Sequence, residues 1–179
     1  WSTTSRFTMY NAGTVVTFNT SGTQVSPAYI DIDLDKLDTG GVFNVTTSVI
    51  DSSTAPILTS VTLERTWITG NGYIGGVILL FSYSTETCPE SPPEDAEEYG
   101  TVKEPFDAGA TVTILGEVKL EPSLETCLYL LLSIDSNTVV DGDVLDFEIT
   151  NFTSDHSPLT KIGLPANISG TTTFKNPPL

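Results

Sequence analysis

The stretch Cys127-Leu128-Tyr129-Leu130-Leu131-Leu132-Ser133-Ile134 is apolar at both odd and even positions. Side chains of a β-strand alternate between two faces, so a run of this kind is typical of a strand that is covered on both sides. The segment from Tyr73 to Tyr83 has the same character. We predict that both segments are central strands of a sheet.

Outward from these segments, strand patterns alternate with clusters of Gly, Pro, Asn, Asp and Ser, and no helical periodicity appears. In Ala28–Leu34 the even positions are apolar and the odd positions carry acids. Further strands are expected within 13–20, 41–51, 57–63, 110–120, 143–152 and 168–174. About nine strands predict an all-β protein, a single jelly-roll-like β-sandwich.

Glycines punctuate the pattern at two places. Gly70-Asn71-Gly72 predicts a hairpin turn, and Gly75-Gly76 inside a strand pattern predicts a bulge or a close backbone approach. The chain has 179 residues and shows no repeat. This length suits one domain.

The apolar runs are all short, the longest being Val77-Ile78-Leu79-Leu80-Phe81, so no membrane-spanning helix is expected. The sequence begins at Trp1 without Met or a charged and apolar leader. Removal of a signal peptide would give such a start, and so would trimming. We expect a secreted, extracellular protein.

The formal charge of -16 and a pI near 4.1 argue against nucleic acid and anionic membrane surfaces as partners. Seven acids fall between Glu86 and Glu104, around Pro89, Pro92 and Pro93. Their spacing matches no calcium-binding loop, which favours a solvated acidic loop over a cation site.

Cys88 and Cys127 are the only cysteines. An even pair in a chain of secreted character favours a disulfide that tethers the acidic loop to the sheet. Two buried free thiols are the alternative.

Catalytic motifs are missing. The single histidine, His156, lies in a polar turn beside Asp155, which rules out a multi-histidine metal site and makes a Ser-His-Asp triad only formally possible. Asp31 and Asp33 share one strand face, where charge of this kind discourages edge-to-edge pairing. We predict no enzymatic activity, no cofactor and no metal.

The N-terminal segment places Trp1, Phe7 and Met9 on one face of an extended strand. Large apolar side chains at a chain terminus must be buried somewhere. They belong either to a first strand of their own domain or to a strand donated to a neighbouring subunit.

Three short motifs resemble the TasA and camelysin-like family, which includes biofilm fibre proteins and archaeal bundling pilins. They are Ala12-Gly13-Thr14, the turn region Leu34–Phe43 and the strand Gly142-Asp143-Val144-Leu145-Asp146-Phe147. Thr39 stands where the family turn usually has Pro.

The resemblance implies a filament or pilus subunit with a donor strand at 1–12 and a sandwich at 13–179. Trp1, Phe7 and Met9 would anchor that strand in the next subunit. The expected partners are further copies of the chain, joined head to tail, and neighbouring filaments in bundles.

Four asparagines stand in N-x-Ser/Thr acceptor motifs: Asn19, Asn44, Asn151 and Asn167. Strand parity predicts that Asn19 and Asn44 point outward, with Asn44 the best candidate for a glycan. Asn151 shares parity with apolar positions and is the least favoured.

Two other functions remain open. A viral jelly-roll capsid or surface-layer module would share the strands and the acceptor motifs. A secreted carbohydrate-binding sandwich would need an exposed aromatic row, for which Trp67 and Tyr73 are the candidates.

Overall fold

A computed structural model of the chain describes residues 13–19, 29–31, 37–69, 74–102, 111–134, 141–142, 144–167 and 172–175. These residues form strands almost throughout, and the one helical element described is a short 3-10 turn. The strands build two sheets, each of six strands when the short β11 is counted with the second. The chain is an all-β sandwich, as its sequence predicts.

The strands are β1 (Thr14–Asn19), β2 (Tyr29–Asp31), β3 (Leu37–Thr47), β4 (Ile57–Thr69), β5 (Ile74–Ser84), β6 (Glu97–Val102), β7 (Thr111–Lys119), β8 (Glu125–Ile134), β9 (Val144–Ser154), β10 (Leu159–Ile162), β11 (Ala166–Asn167) and β12 (Thr172–Lys175); the 3-10 turn is Ser52–Thr54.

The first sheet runs in the order β10-β1-β3-β8-β5-β6, and the second in the order β2-β12-β9-β4-β7 with β11 on β9. The predicted central strands β8 and β5 lie side by side inside the first sheet. β1 pairs with β10 in parallel, and β12 pairs with β2 in parallel. The acid-bearing β2 is an edge strand, as expected of a strand that uses charge against pairing.

The main core lies between the sheets. Strand alternation brings one face of each strand into it, because every second side chain points the same way. Fully buried members include Phe18, Phe43, Leu128, Phe147 and Phe152. Phe18 and Phe152 join the two sheets directly, with ring centroids 5.0 Å apart.

The glycines before and within β5 carry two predictions, a hairpin turn and a bulge, and the structure bears out only the bulge. Gly70-Asn71-Gly72 lie outside the described residues, but the flanking strands β4 and β5 belong to different sheets, so they do not form the predicted hairpin. The predicted bulge is confirmed, since the register of β5 on β8 shifts between Ile74 and Gly76. β6 was not foreseen, because its Glu-Glu-Tyr start continues the acidic segment.

The two sides of the sandwich differ. On one side the edge strands β6 and β7 approach so closely that Gly100 and Gly116 each touch the backbone of the other strand. On the opposite side the edges are formed by β10 and β2. The sandwich is therefore closed along one side by backbone packing.

Candidate functional site

The predicted donor-strand anchors Trp1, Phe7 and Met9 lie outside the described residues. Tyr73 and the side chain of Trp67, the candidates for a carbohydrate platform, also lie outside them. Among the described residues, the candidate interaction surfaces are the sheet edges, the two outer faces and the segment held by the disulfide.

Cys88 and Cys127 form a disulfide, with their Cα atoms 5.7 Å apart. Cys127 is fully buried on β8, and Cys88 lies in the acidic, Pro-rich segment that precedes β6. The bond therefore ties residues 85–96, the cover segment, to the middle of the first sheet. This is the tether that the sequence predicts.

The cover segment buries part of the outer face of the first sheet. Val42, Cys127 and Tyr129 form a small buried cluster of their own, against which Leu80 and Cys88 pack. The Tyr129 hydroxyl donates a hydrogen bond to the Pro89 carbonyl at 3.0 Å, and burial raises the pKa of this phenol. A second core thus lies outside the sandwich.

The acids of the cover segment face solvent. Glu86, Glu90, Glu94 and Asp95 are all exposed. In the part of the chain that the structure describes, no three His, Cys, Asp or Glu side chains gather as a metal site.

Asn44 has the predicted direction but not the expected exposure. It points away from the main core, yet it is only 1% exposed, and its register partner on β8 is Cys127. Both of its amide atoms lack hydrogen-bond partners among the described residues. The predicted direction of Asn44 is therefore confirmed, but a glycan on this buried side chain does not fit the folded sheet.

Asn151 shows the opposite error. The register of β4 on β9 shifts between Thr62 and Leu63, which inserts an extra residue into β9. Such a bulge reverses the alternation of side chains beyond it. Asn151 is therefore exposed, and its Oδ1 accepts a hydrogen bond from Lys161 Nζ at 2.6 Å.

Of the other two acceptor asparagines, Asn167 is exposed on β11. Asn19 pairs with Asn44 through the main chains of β1 and β3, and its side chain lies outside the described set. Two acceptor motifs thus present an accessible asparagine.

His156 is committed to a structural contact. Its Nδ1 lies 2.6 Å from Thr14 Oγ1, which links the start of β1 to the turn after β9. The neighbouring Asp155 carboxylate instead accepts the Ile57 backbone N–H at 2.7 Å. The aspartate is thus used to hold the end of β4.

The edges formed by β10 and β2 are short and uncovered within the described ranges. β10 pairs only with β1, and β2 only with β12. Leu159 packs onto the main core, whereas Ile162 is 47% exposed at the end of β10. Unpaired edge strands present N–H and C=O groups that an incoming strand can bond.

Comparison with known proteins adds little. No family model and no curated protein matches the chain. A solved structure that it resembles is ACE19, the collagen-binding subdomain of the Enterococcus faecalis surface protein ACE, at 8% identity over 95% of this chain and 100% of that one. The TM-score is 0.26, too low to define a common fold. Among the described residues, no helix has the length and apolarity needed to cross a membrane.

Proposed function

We propose that the chain is a non-enzymatic structural subunit of an extracellular filament or pilus, of the TasA and camelysin-like kind. Its N-terminal strand, residues 1–12, would add to the sheet edge of the next subunit. The observation that carries the proposal is the asymmetry of the sandwich: β6 and β7 close one side, while β10, which is four residues long, and β2 form the sheet edges of the other side.

Strand addition suits those edges physically. An incoming strand satisfies the open backbone groups of an edge and can bury its apolar face against the core beside it. β10 is only four residues long, and the described chain places no strand beyond it. Leu159 and the half-exposed Ile162 supply apolar surface at this edge.

The arrangement would propagate. A strand at one end of the chain that binds an edge elsewhere on the next copy forms a head-to-tail contact, and such contacts build open filaments unless the rotation closes a ring. The chain itself is thus its own main partner, with neighbouring filaments as further partners in bundles. The charge of -16 disfavours nucleic acid and anionic membranes as partners.

The Cys88–Cys127 bond supports an extracellular location, because disulfides persist in oxidising compartments. The commitment of His156 and Asp155 to structural hydrogen bonds supports a non-enzymatic role. Neither point bears on polymerisation, which needs its own test.

Deletion of residues 1–10 tests the donor strand. Filaments seen by negative-stain microscopy for the intact chain should disappear, while circular dichroism still reports a folded β-protein. A synthetic peptide of residues 1–10 should then raise the melting temperature of the truncated chain in a concentration-dependent way. Filaments formed by the truncated chain would exclude the proposal, and shells or dispersed particles of the intact chain would favour a capsid or binding module.

The acceptor edge has a matched test of its own. Ile162→Asp places a charge at the end of β10 and should block assembly without unfolding the monomer. Ile50 is 94% exposed in the loop after β3, so Ile50→Asp should leave assembly unchanged. Equal assembly by the two variants would exclude β10 as the acceptor.

A further inference from the structure

The free edge of β10 is formed by the backbone of two residues, Leu159 and Lys161. β1 and β10 pair in parallel with Thr14 opposite Leu159, and the Thr14 N–H donates to the Pro158 carbonyl at 3.1 Å. A strand turns its backbone groups to its two sides at alternate residues, so Thr160 also bonds β1. The N–H and C=O groups of Leu159 and Lys161 therefore point away from β1, towards the place of an added strand.

The side chains of the same two residues face the inside of the sandwich. Leu159 packs onto the main core. Lys161 shares this face, because it lies two residues further along the strand, and its Nζ is 5.1 Å from the ring centroid of the fully buried Phe152. The ammonium also donates to Asn151 Oδ1 at 2.6 Å. Lys161 thus reaches from β10 in the first sheet to β9 in the second.

The Lys161 ammonium limits what can lie beside it. It has three N–H donors, and within the described residues it makes one hydrogen bond and has no carboxylate within ion-pair distance. A strand added to β10 would cover the ammonium and remove water from the remaining donors. This costs free energy unless the strand brings a hydrogen-bond acceptor. A polar acceptor is therefore favoured opposite Lys161, and a second cation is disfavoured.

The N-terminal segment has a matching pattern. On the face that carries its apolar anchors, the hydroxyl side chains of Thr3 and Ser5 stand between Trp1 and Phe7. Arg6 has the opposite parity. The apolar face of this segment thus offers hydroxyl acceptors at its middle, and the other face offers a cation.

We propose that Lys161 sets the direction and register of the donated strand. The strand runs antiparallel to β10 and places Ser5 opposite Lys161. Phe7 then lies opposite Leu159 and joins it on the core, whereas a parallel strand in the same position would carry Phe7 past the end of β10. A slip by one residue would bring Arg6 opposite Lys161, where the two cations repel one another. This inference rests on the proposed function, because it assumes that the N-terminal segment adds to this edge.

Disulfide cross-linking in the full chain measures the register. Antiparallel pairing of Ser5 with Lys161 brings Thr4 opposite Ile162 on the outer face. The Cα atoms of such a pair, which lies between two hydrogen-bonded pairs, are about 4.5 Å apart. This distance suits a disulfide, and cysteines at these two positions leave Ser5, Arg6 and Lys161 unchanged.

Three variants are compared, each combining Ile162→Cys with Ser2→Cys, Thr4→Cys or Arg6→Cys. Under mild oxidation we expect Thr4→Cys to link neighbouring chains about fivefold more than either other substitution, a preference that one hydrogen bond can supply. Peptide mass mapping identifies the bonded positions. Dominant bonding from position 2 or 6 would overturn the register and leave strand donation standing. Bonds confined to single chains would contradict donation, and no bond from any position would overturn both.

Variants of Lys161 show whether its ammonium sets the register. Lys161→Met keeps a side chain of similar length over Phe152 and removes the charge, so the preference for position 4 should disappear. Lys161→Arg should retain the preference. Lys119→Met, which removes an ammonium bonded to Ser52 on the other side of the sandwich, is the control and should also retain it. An unchanged preference in Lys161→Met would exclude the proposed role, because a lysine that only covers the core is replaced by methionine without effect on the register.

Discussion

Gly100 in β6 and Gly116 in β7 hold the edges of the two sheets in backbone contact. A Cβ atom on Gly100 would lie 2.2 Å from the Leu115 carbonyl oxygen, and one on Gly116 would lie 2.2 Å from the Tyr99 carbonyl oxygen. Neither atom has room, because its neighbour is backbone and not a flexible side chain. The closed side of the sandwich therefore depends on the absence of two side chains.

We expect Gly100→Ala and Gly116→Ala each to lower the free energy of unfolding by about 1–3 kcal/mol, the usual cost of overpacking. Urea titration followed by fluorescence measures the change. The exposed neighbour Glu117 offers a control, since Glu117→Ala should stay within about 0.5 kcal/mol of the parent. The double glycine variant should lose less than the sum, because either substitution alone separates the strands. Unchanged midpoints for both glycine variants would show that the sheets do not meet there.

Replacement of Thr126 by valine should stabilise the folded protein. It is fully buried on β8, and its Oγ1 has no hydrogen-bond partner among the described residues. Thr126→Val keeps the shape and removes the unpaired hydroxyl, so it should raise the free energy of unfolding by about 1–2 kcal/mol.

Thr153→Val is the matched control, with the opposite sign expected. Its hydroxyl lies 2.7 Å from Thr59 Oγ1 and 2.6 Å from Ser60 Oγ, so its removal should destabilise by about 1 kcal/mol. A loss of stability in Thr126→Val would mean that the Thr126 hydroxyl is hydrogen-bonded in solution.

The strand pattern of the sequence was enough to predict the fold class, because alternation depends on local geometry. All nine predicted strand regions contain a strand. What it could not predict is what lies over an outer face. Asn44 has the predicted parity, yet it is buried on the outer face of the first sheet, where Cys88 also packs against Val42 and Tyr129. Tertiary contacts of this kind cannot be read from the pattern of a single strand.

Local irregularity explains the other errors. One extra residue in β9 turns the Asn151 side chain to the opposite face of the strand. The residue types in Thr150-Asn151-Phe152 do not predict a bulge. The length of β6 relative to β5 follows from sheet pairing, in which Glu97 lies opposite Phe81, and the acidic start of β6 carries no strand pattern from which this pairing could be predicted.

Reduction of the disulfide should release the cover segment. The bond joins residues 39 apart, and its loss should cost roughly 3–4 kcal/mol in the chain-entropy description. A glutamate-specific protease should then cleave within residues 86–98 much faster in the Cys88→Ala/Cys127→Ala variant than in the parent.

Tyr129→Phe is the control for that experiment, because it removes the hydrogen bond to Pro89 and keeps the disulfide. It should increase cleavage far less than loss of the disulfide. Mass spectrometry of the fragments gives the cleavage sites, and equal protection with and without the disulfide would show that packing alone holds the segment.

Glycans, if the native source attaches them, should be found on Asn151 and Asn167 and not on Asn44. The first two are exposed, whereas the Asn44 side chain is only 1% exposed. Peptide mapping of native material decides this. Occupancy at Asn44 would require attachment before folding and a different packing around this side chain.

Glu64 and Glu148 are direct register partners on β4 and β9, and Asp146 follows on the same face of β9. Burial raises the pKa of the Glu148 carboxyl, with the Glu64 charge acting in the same direction, and burial also raises the pKa of Asp146. A carboxyl with a raised folded-state pKa binds protons more readily in the folded state than in the unfolded state. When ionised, these carboxylates therefore lower the free energy of unfolding. This loss of stability is relieved as the pH falls through their folded-state pKa values.

Glu148→Gln should accordingly stabilise the protein near neutral pH. The gain should disappear as the pH approaches 4.5, the ordinary pKa of a glutamate carboxyl. We expect a gain of no more than about 1 kcal/mol, because the pair is only partly buried and is screened by solvent. The measurement is urea unfolding across that pH range, repeated at high salt, where the difference between variant and parent should shrink. Glu117→Gln, at an exposed position of the same sheet, is the control for loss of one surface charge and should stay within about 0.5 kcal/mol of the parent near neutral pH. A Glu148→Gln curve that runs parallel to the parent would show that Glu64 and Glu148 do not repel one another in solution.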